Sequence, residues 1–289
     1  MLKTSSLAGV GLSVFGPSIL AEPIADMSVV KGRNPAAATR AAIDAIGGMK
    51  RFVKPGASVM VKPNMSWDRM PKQAATTNPE VVGAVVALCK EAGAKRIVVT
   101  DNTLNDARRC FTRTGIAAAT KAAGGEAVFM NPRRFSIVDT GGKALGKWSI
   151  YRDAVDFDVL INVPILKHHS ASRLSIGMKN LYGLISGARN RLHQQMDQGI
   201  ADLAAFFKPE LTVVDGYRML IRNGPSGGRP TDTKLTETII ACSDIVAADA
   251  RSTILFGLKP TDIGYIRLGS EMGLGTYDLS SLKVKEFSI

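Results

Sequence analysis

The sequence has few of the side chains from which metal centres, disulfide frameworks and nucleic-acid surfaces are built. Its 289 residues include three cysteines, three histidines and two tryptophans. Cys89, Cys110 and Cys242 are far apart and odd in number. They make no disulfide framework and match neither zinc nor iron–sulfur spacing, so no iron–sulfur cluster is expected. Buried thiols are expected instead, a single disulfide being open only to an exported form. The apolar run Leu7 to Leu20 is too short for a bilayer, which takes about 20 residues, so no transmembrane segment is expected in the mature chain. Lys and Arg exceed Asp and Glu by 37 to 25, a net charge of +12, yet the basic residues are scattered. Arg108-Arg109, Arg133-Arg134 and Arg189-Asn190-Arg191 are short clusters without interleaved aromatics. A nucleic-acid partner would rest on net charge alone, and none is expected. The excess favours a small anionic ligand. GxSxG, Walker, HExxH and dinucleotide fingerprints are all missing, and no repeat of fixed period emerges.

What remains is a chain with 45% hydrophobic residues, enough for a substantial core in one large domain or two lobes. Leu7 to Leu20 reads as the apolar part of an export signal, with Ala21 and Ala25 as small-residue cleavage positions. Leu2 to Ser6 resembles the tail of a twin-arginine signal whose arginines would lie before Met1, which suggests a truncated start. The expected location is therefore periplasmic or otherwise exported, and cytoplasmic if this stretch is an ordinary N-terminal helix.

Along the rest of the chain, strands and helices alternate. Helical spacing covers 35–49, and a strand follows at 57–61, ended by Lys62-Pro63-Asn64. Asn78 and Pro79 open a helix that runs to Gly93, and 96–100 is a β-branched strand ending at Asp101. A helix at 114–123 and a strand at 127–130 come next, then a hairpin insertion over 134–151. The pattern restarts with a strand at 159–163, helices at 178–185 and 198–207, and a strand at 211–214 ending at Asp215. A glycine-rich loop (223–230), a strand at 236–241, a Ser243-capped helix to Phe256 and a last helix near Tyr265 complete it. This order predicts an α/β fold: a mostly parallel sheet with helices on both faces, in two lobes around a cleft. The division expected is 1–25 as export signal, 26–155 as N-terminal lobe and 156–289 as C-terminal lobe.

In such sheets ligands bind beyond the carboxyl ends of the strands. Four predicted strands deliver polar groups there: Lys62 with Asn64, Asp101, the Lys167-His168-His169 triplet, and Asp215. The bland alternative is that strand ends are polar because chains turn there. All three histidines lie in one neighbourhood, at 168, 169 and 193. Alternation along an extended segment puts Lys167 and His169 on one side and His168 on the other. One of the two adjacent histidines therefore faces the site, where an imidazole can serve as general base, acid or metal ligand, with His193 as its partner or an exposed histidine. Gly177-Met178-Lys179-Asn180 offers free backbone N–H groups and a lysine, an anion seat. A divalent metal is weakly signalled, with Asp101, His169 and Asp215 as candidate ligands.

These residues resemble the family known as domain of unknown function 362. The resemblance covers roughly Ser58 to Gly257. It rests on Val61-Lys62-Pro63-Asn64, Thr77-Asn78-Pro79, Glu91-Ala92-Gly93-Ala94, Leu166-Lys167-His168-His169, Ile176-Gly177-Met178-Lys179-Asn180 with Gly183, and Val214-Asp215-Gly216. Where the family has Lys-Thr-His, this chain has Lys167-His168-His169, so His169 is the matching imidazole. Many members look exported by twin-arginine signals, and others carry a ferredoxin-like cysteine cluster that is not found here. The resemblance implies a fold and a site, and names no reaction. The resulting expectation is an exported enzyme that binds a small phosphate- or carboxylate-bearing ligand, with metal assistance open. Lys62, Lys167 and Lys179 would neutralise the anion, Asn64, Gly177 and Asn180 would help seat it, His169 and His193 would move a proton, and Asp101 and Asp215 would orient the base or hold a metal. The alternative is a non-catalytic metal- or anion-binding maturation factor for an exported redox protein.

Overall fold

The computed structural model describes residues 24–289, so the candidate leader at 1–23 falls outside the described residues. Ala25, the second candidate cleavage position, is buried just ahead of the first strand. In chain order the elements are β1 (Met27–Lys31), α1 (Pro35–Ala45), β2 (Ser58–Pro63), α2 (Pro79–Glu91), β3 (Arg96–Val99), α3 (Ala107–Arg113), α4 (Ile116–Ala122) and β4 (Glu126–Ala127). They continue with β5 (Phe135–Asp139), β6 (Lys147–Tyr151), α5 (Asp153–Asp156), β7 (Val159–Val163), β8 (Ile165–His169), β9 (Arg173–Ser175) and α6 (Gly177–Asn180). The last are α7 (Met196–Phe207), β10 (Leu211–Leu220), β11 (Thr233–Cys242), α8 (Ile245–Phe256), α9 (Gly264–Glu271) and β12 (Val284–Ser288).

One ten-stranded sheet organises the molecule, in the order β12-β1-β11-β10-β7-β2-β3-β4, with β8 paired to β10 and β9 to β8. The run β10-β7-β2-β3-β4 is parallel throughout, and only β11 and β9 run against their neighbours. Strands from both halves of the chain interleave in it: β1 lies between β12 and β11, and β2 lies beside β7. The central strands are apolar on both faces, as parallel strands covered by helices must be. All five residues of β7, VLINV, are buried. One face packs α1, α2 and the Cys110 to Ile116 turn. The other packs α7, α8, α9 and the β5–β6 hairpin. The fold class expected from alternation is the one found.

Several boundaries differ from the sequence reading for local reasons. Pro164 has no N–H for a ladder, so β7 ends at Val163 and the Lys-His-His triplet sits on a separate strand, β8. The helix expected over 114–123 is α4 alone, which starts after Gly115 at φ +75°, and an unforeseen helix, α3, precedes it. Asp244, not Ser243, caps α8, accepting from the Ala247 N–H at 2.9 Å. The strand at 211–214 extends to Leu220 through an irregularity between Gly216 and Arg218. Only Glu126 and Ala127 pair at the strand expected over 127–130, and the helix expected over 178–185 is one turn of α-helix followed by a 3₁₀ turn. The hairpin insertion is present as β5–β6, and the Asp202 carboxylate on α7 pins its tip by accepting the Ala144 and Leu145 N–H groups at 2.7 and 2.9 Å. Cys89, Cys110 and Cys242 are free, buried thiols.

Candidate functional site

Parallel register brings the polar strand ends together. Lys62 is level with Asn162 across β2–β7, and Val61 is level with Val99 across β2–β3. Lys62, Asn162 and Asp101 therefore converge at one edge although they are far apart in sequence. A cavity of about 370 Å³ opens there, bordered by Asn64, Lys167, His169, Lys179, Asn180, Arg189 and His193. Its polar floor is buried: Lys167 is 1% exposed, Lys179 6%, Asn180 3% and Asn64 7%. Among the described residues, no aspartate or glutamate borders it.

Beneath the floor lies an ion pair. Lys62 Nζ meets Asp101 Oδ1 at 2.7 Å, with both side chains buried. The other two ammonium protons of Lys62 point to Pro63 O at 2.8 Å and Asn180 Oδ1 at 3.2 Å. All three donors are thus engaged within the protein, and Lys62 does not border the cavity. The expectation that Lys62 neutralises the ligand directly is revised: it holds the floor. Asp101 is likewise committed. Its Oδ2 accepts the Met65 N–H at 2.7 Å and the Ser66 hydroxyl at 3.2 Å, tying down the loop after β2. The backbone of Gly183 lies against this pair, and a Cβ there would collide with the Asp101 carboxylate and with Lys62 Nζ. That close approach is why a glycine stands at this position.

Asparagines relay these contacts to the cavity wall. Asn180 Nδ2 donates to Asn162 Oδ1 at 2.9 Å and Lys62 O at 3.2 Å, while its Oδ1 also accepts from Asn64 Nδ2 at 3.2 Å. Asn64 Oδ1 accepts from Lys167 Nζ at 3.3 Å, and Lys167 also donates to Ala75 O at 2.6 Å. Asn162, the lone polar side chain in the apolar run of β7, donates to Gly177 O at 2.9 Å. Lys179 has a different environment. Its ammonium sits 3.6 Å from the centre of the Tyr182 ring, a cation–π contact, and has no ion-pair partner among the described residues. Burial pulls both lysines down, Lys167 and Lys179 each to about 7.

The alternation argument places the histidines correctly. His169 borders the cavity with Lys167, while His168 turns away and accepts the Gly224 N–H on its Nδ1 at 3.1 Å. The role expected of His169 needs revision. Its Nδ1 accepts the Ala171 and Ser172 N–H groups at 3.1 and 3.3 Å, so the neutral ring carries its proton on Nε2. Burial, and then the ammonium groups of Lys179 and Lys167, push its pKa down to about 3. With Nδ1 taken up as an acceptor, the ring presents Nε2 as an N–H donor. His193 is exposed at the cavity border, its pKa lowered by partial burial and by Lys179.

Two other expectations change. The free N–H groups of Gly177 and Met178 do form an anion seat, but the Asp249 carboxylate of α8 fills it, accepting them at 2.7 and 3.0 Å. Burial pushes Asp249 up to about 8 against the pull of those two donors. Asp215 is separated from the other candidates. It accepts the Asn78 and Tyr217 N–H groups at 2.7 and 3.0 Å and borders a different cavity of about 220 Å³. Burial pushes it up to about 6, and it anchors the start of α2 instead of orienting His169. Asp101, His169 and Asp215 thus do not converge, and no group of three or more His, Cys, Asp or Glu side chains among the described residues could hold a metal ion. Sequence reasoning missed Arg189 and Tyr182 on the cavity wall, and Asp249 and Asn162 behind it. Asn162 alone left a signal, as an amide inside an otherwise apolar strand.

The family model for DUF362, a domain of unknown function, matches residues 59–253. A thylakoid-associated protein of Synechocystis sp. is 30% identical over 247 residues, spanning 82% of this chain and 75% of that protein. The chain belongs to the DUF362 family. The matched span carries every residue of the cavity floor described above, so the site is part of the DUF362 domain itself. Among solved structures, the lactate racemase apoprotein from Thermoanaerobacterium thermosaccharolyticum is similar with a TM-score of 0.48 and 12% identity. That match covers 78% of this DUF362 chain, which spans 56% of the racemase's length. A protein from Thermotoga maritima gives a TM-score of 0.40 at 11% identity, covering 82% of this chain and 60% of that one. Among the described residues, no helix is long and apolar enough to cross a membrane.

Proposed function

We propose that the protein is an enzyme that binds a small carboxylate- or phosphate-bearing ligand in the cavity at the carboxyl edge of the sheet. The observation that carries this reading is the charge balance: Lys167 and Lys179 are buried at the cavity wall, and neither has an ion-pair partner among the described residues. A buried ammonium without a counter-ion is costly, and an entering anion supplies the missing charge. In this reading Lys167, Lys179 and Arg189 neutralise the anion, and His169 gives it one hydrogen bond from its protonated ring nitrogen. Lys62, Asp101, Asn64 and Asn180 hold that geometry in place. Proton transfer falls to Lys179, since an amine that titrates near neutrality at a cavity wall suits acid–base work at pH 7. Export is supported by the apolar run from Leu7 to Leu20 alone.

Calorimetric titration of the full chain at low salt with sulfate, phosphate and acetate tests the reading. Saturable binding is expected, weakened at least about tenfold, or about 1.4 kcal/mol, in Lys167→Met and in Lys179→Met. Methionine matches the lysine stem in volume, so both variants should keep the wild-type circular dichroism spectrum. Equal affinity in folded variants would overturn the proposal.

A further inference from the structure

The cavity has an unusual order of surfaces. Its most buried wall is cationic and amide-lined, while apolar side chains stand at its mouth beside the exposed Ser170 and His193. Trp67 and Leu104 both border the opening, and Leu104 is 55% exposed, a large apolar side chain turned toward solvent. Pro225 borders it too. A site for a bare inorganic anion has no use for such a rim, because a small hydrated ion gains nothing from apolar surface.

The rim is also fixed in place. Asp101 holds Met65 and Ser66, directly before Trp67, through its Oδ2. The Ser66 carbonyl in turn accepts the N–H groups of Leu104 and Asn105 at 2.9 and 3.1 Å. The same carboxylate that pairs with Lys62 under the floor therefore sets the loop that carries the rim. Floor and rim form one preorganised unit, which lowers the ordering cost of binding.

We infer that the ligand is amphipathic: an anionic head seated among Lys167, Lys179 and Asn180, joined to an apolar body, aromatic or branched aliphatic, packed against Trp67 and Leu104. The inference rests on the anion-binding reading above and adds the chemistry of the rest of the molecule. A volume of about 370 Å³ suits a head group plus one ring. Carboxylate and phosphate heads share this recognition chemistry, and the test separates them.

The test titrates two matched pairs into the full chain: acetate against 3-phenylpropionate, and inorganic phosphate against phenyl phosphate. In at least one pair the aryl member should bind about tenfold or more tightly than its parent, and the pair that shows it identifies the head group. In Trp67→Ala and in Leu104→Gln that ratio should fall toward one. Leu104 is exposed, so its replacement by glutamine keeps the test valid if Trp67→Ala fails to fold. Parent anions that bind wild type without any aryl gain would overturn this inference and leave the anion reading standing. An aryl gain that is undiminished in both variants would place the ring elsewhere on the surface and overturn it as well. Failure of all four probes to bind would sink the anion reading, and this inference with it.

Discussion

Lys62 has all three donors engaged within the protein, and Asp101 is held by Lys62, Met65 and Ser66, so the pair acts as a foundation and not as ligands. Replacing Asp101 with asparagine would strand a buried ammonium and loosen the Met65-Ser66 backbone together. The expected cost is about 3–5 kcal/mol, read from urea denaturation. A loss under about 1 kcal/mol would mean that the pair is not the anchor described here. His169 leads to a prediction of the opposite kind, an absence of change. With Nδ1 occupied as an acceptor and a pKa near 3, its ring should stay the neutral Nε2–H tautomer from pH 5 to pH 9 in ¹⁵N NMR. A protonation step in that range would restore it as a proton carrier. Sequence alternation was enough to separate His169 from His168, because the side-chain period of a strand is a local property, and the family's Lys-Thr-His spacing then selected His169. It was not enough to reveal the tautomer, which depends on a turn three residues on.

Among elements, the short helix α6 shows most clearly what a sequence conceals. Gly177 to Asn180 reads as an anion seat because its backbone donors are free in sequence terms, and the carboxyl group that fills it is Asp249 on α8, 72 residues after Gly177. Asp249→Asn would retain one acceptor and turn an N–H donor toward a second donor. A loss of about 1–3 kcal/mol is expected, with weaker anion binding because α6 carries Lys179 and Asn180. Unchanged stability would contradict this role. Legibility followed the same rule elsewhere. The continuous apolar strands, the Asn78-Pro79 helix start and the strand-end polar groups were readable, since each is specified within a few residues. The Pro164 break moved Lys167 and His169 to a new strand without removing them from the sheet edge. Asp215 reads like its neighbours at the ends of strands, and only the continuation of β10 past Gly216 shows that its carboxylate serves Asn78 and Tyr217.

For the whole molecule, two buried lysines make stability depend on pH in a definite direction. In the unfolded chain a lysine titrates near 10.4, while Lys167 and Lys179 titrate at about 7 in the fold. Between those values the unfolded state binds more protons, so their contribution makes stability rise with pH from about 7 to about 10. Asp249 and Asp215, with raised pKa values, act oppositely at lower pH: the native state holds protons that the unfolded state has lost, so stability falls as pH rises toward about 8 and about 6 respectively. A difference measurement isolates the lysine. Lys179→Met should gain stability relative to wild type at pH 7 and lose that advantage at pH 10, as read from urea midpoints. A pH-independent difference would show that Lys179 is not charged against a penalty in the free protein.

The same linkage provides the most direct test of the anion site. Sulfate does not titrate near neutrality, so any proton exchanged when it binds belongs to the protein. Calorimetric titration with sulfate at pH 8, in buffers of different ionisation enthalpy, should show net proton uptake as Lys167 and Lys179 are drawn back to their charged forms. The uptake should shrink in Lys179→Met. Saturable sulfate binding with no proton uptake, or no binding at all, would contradict the account.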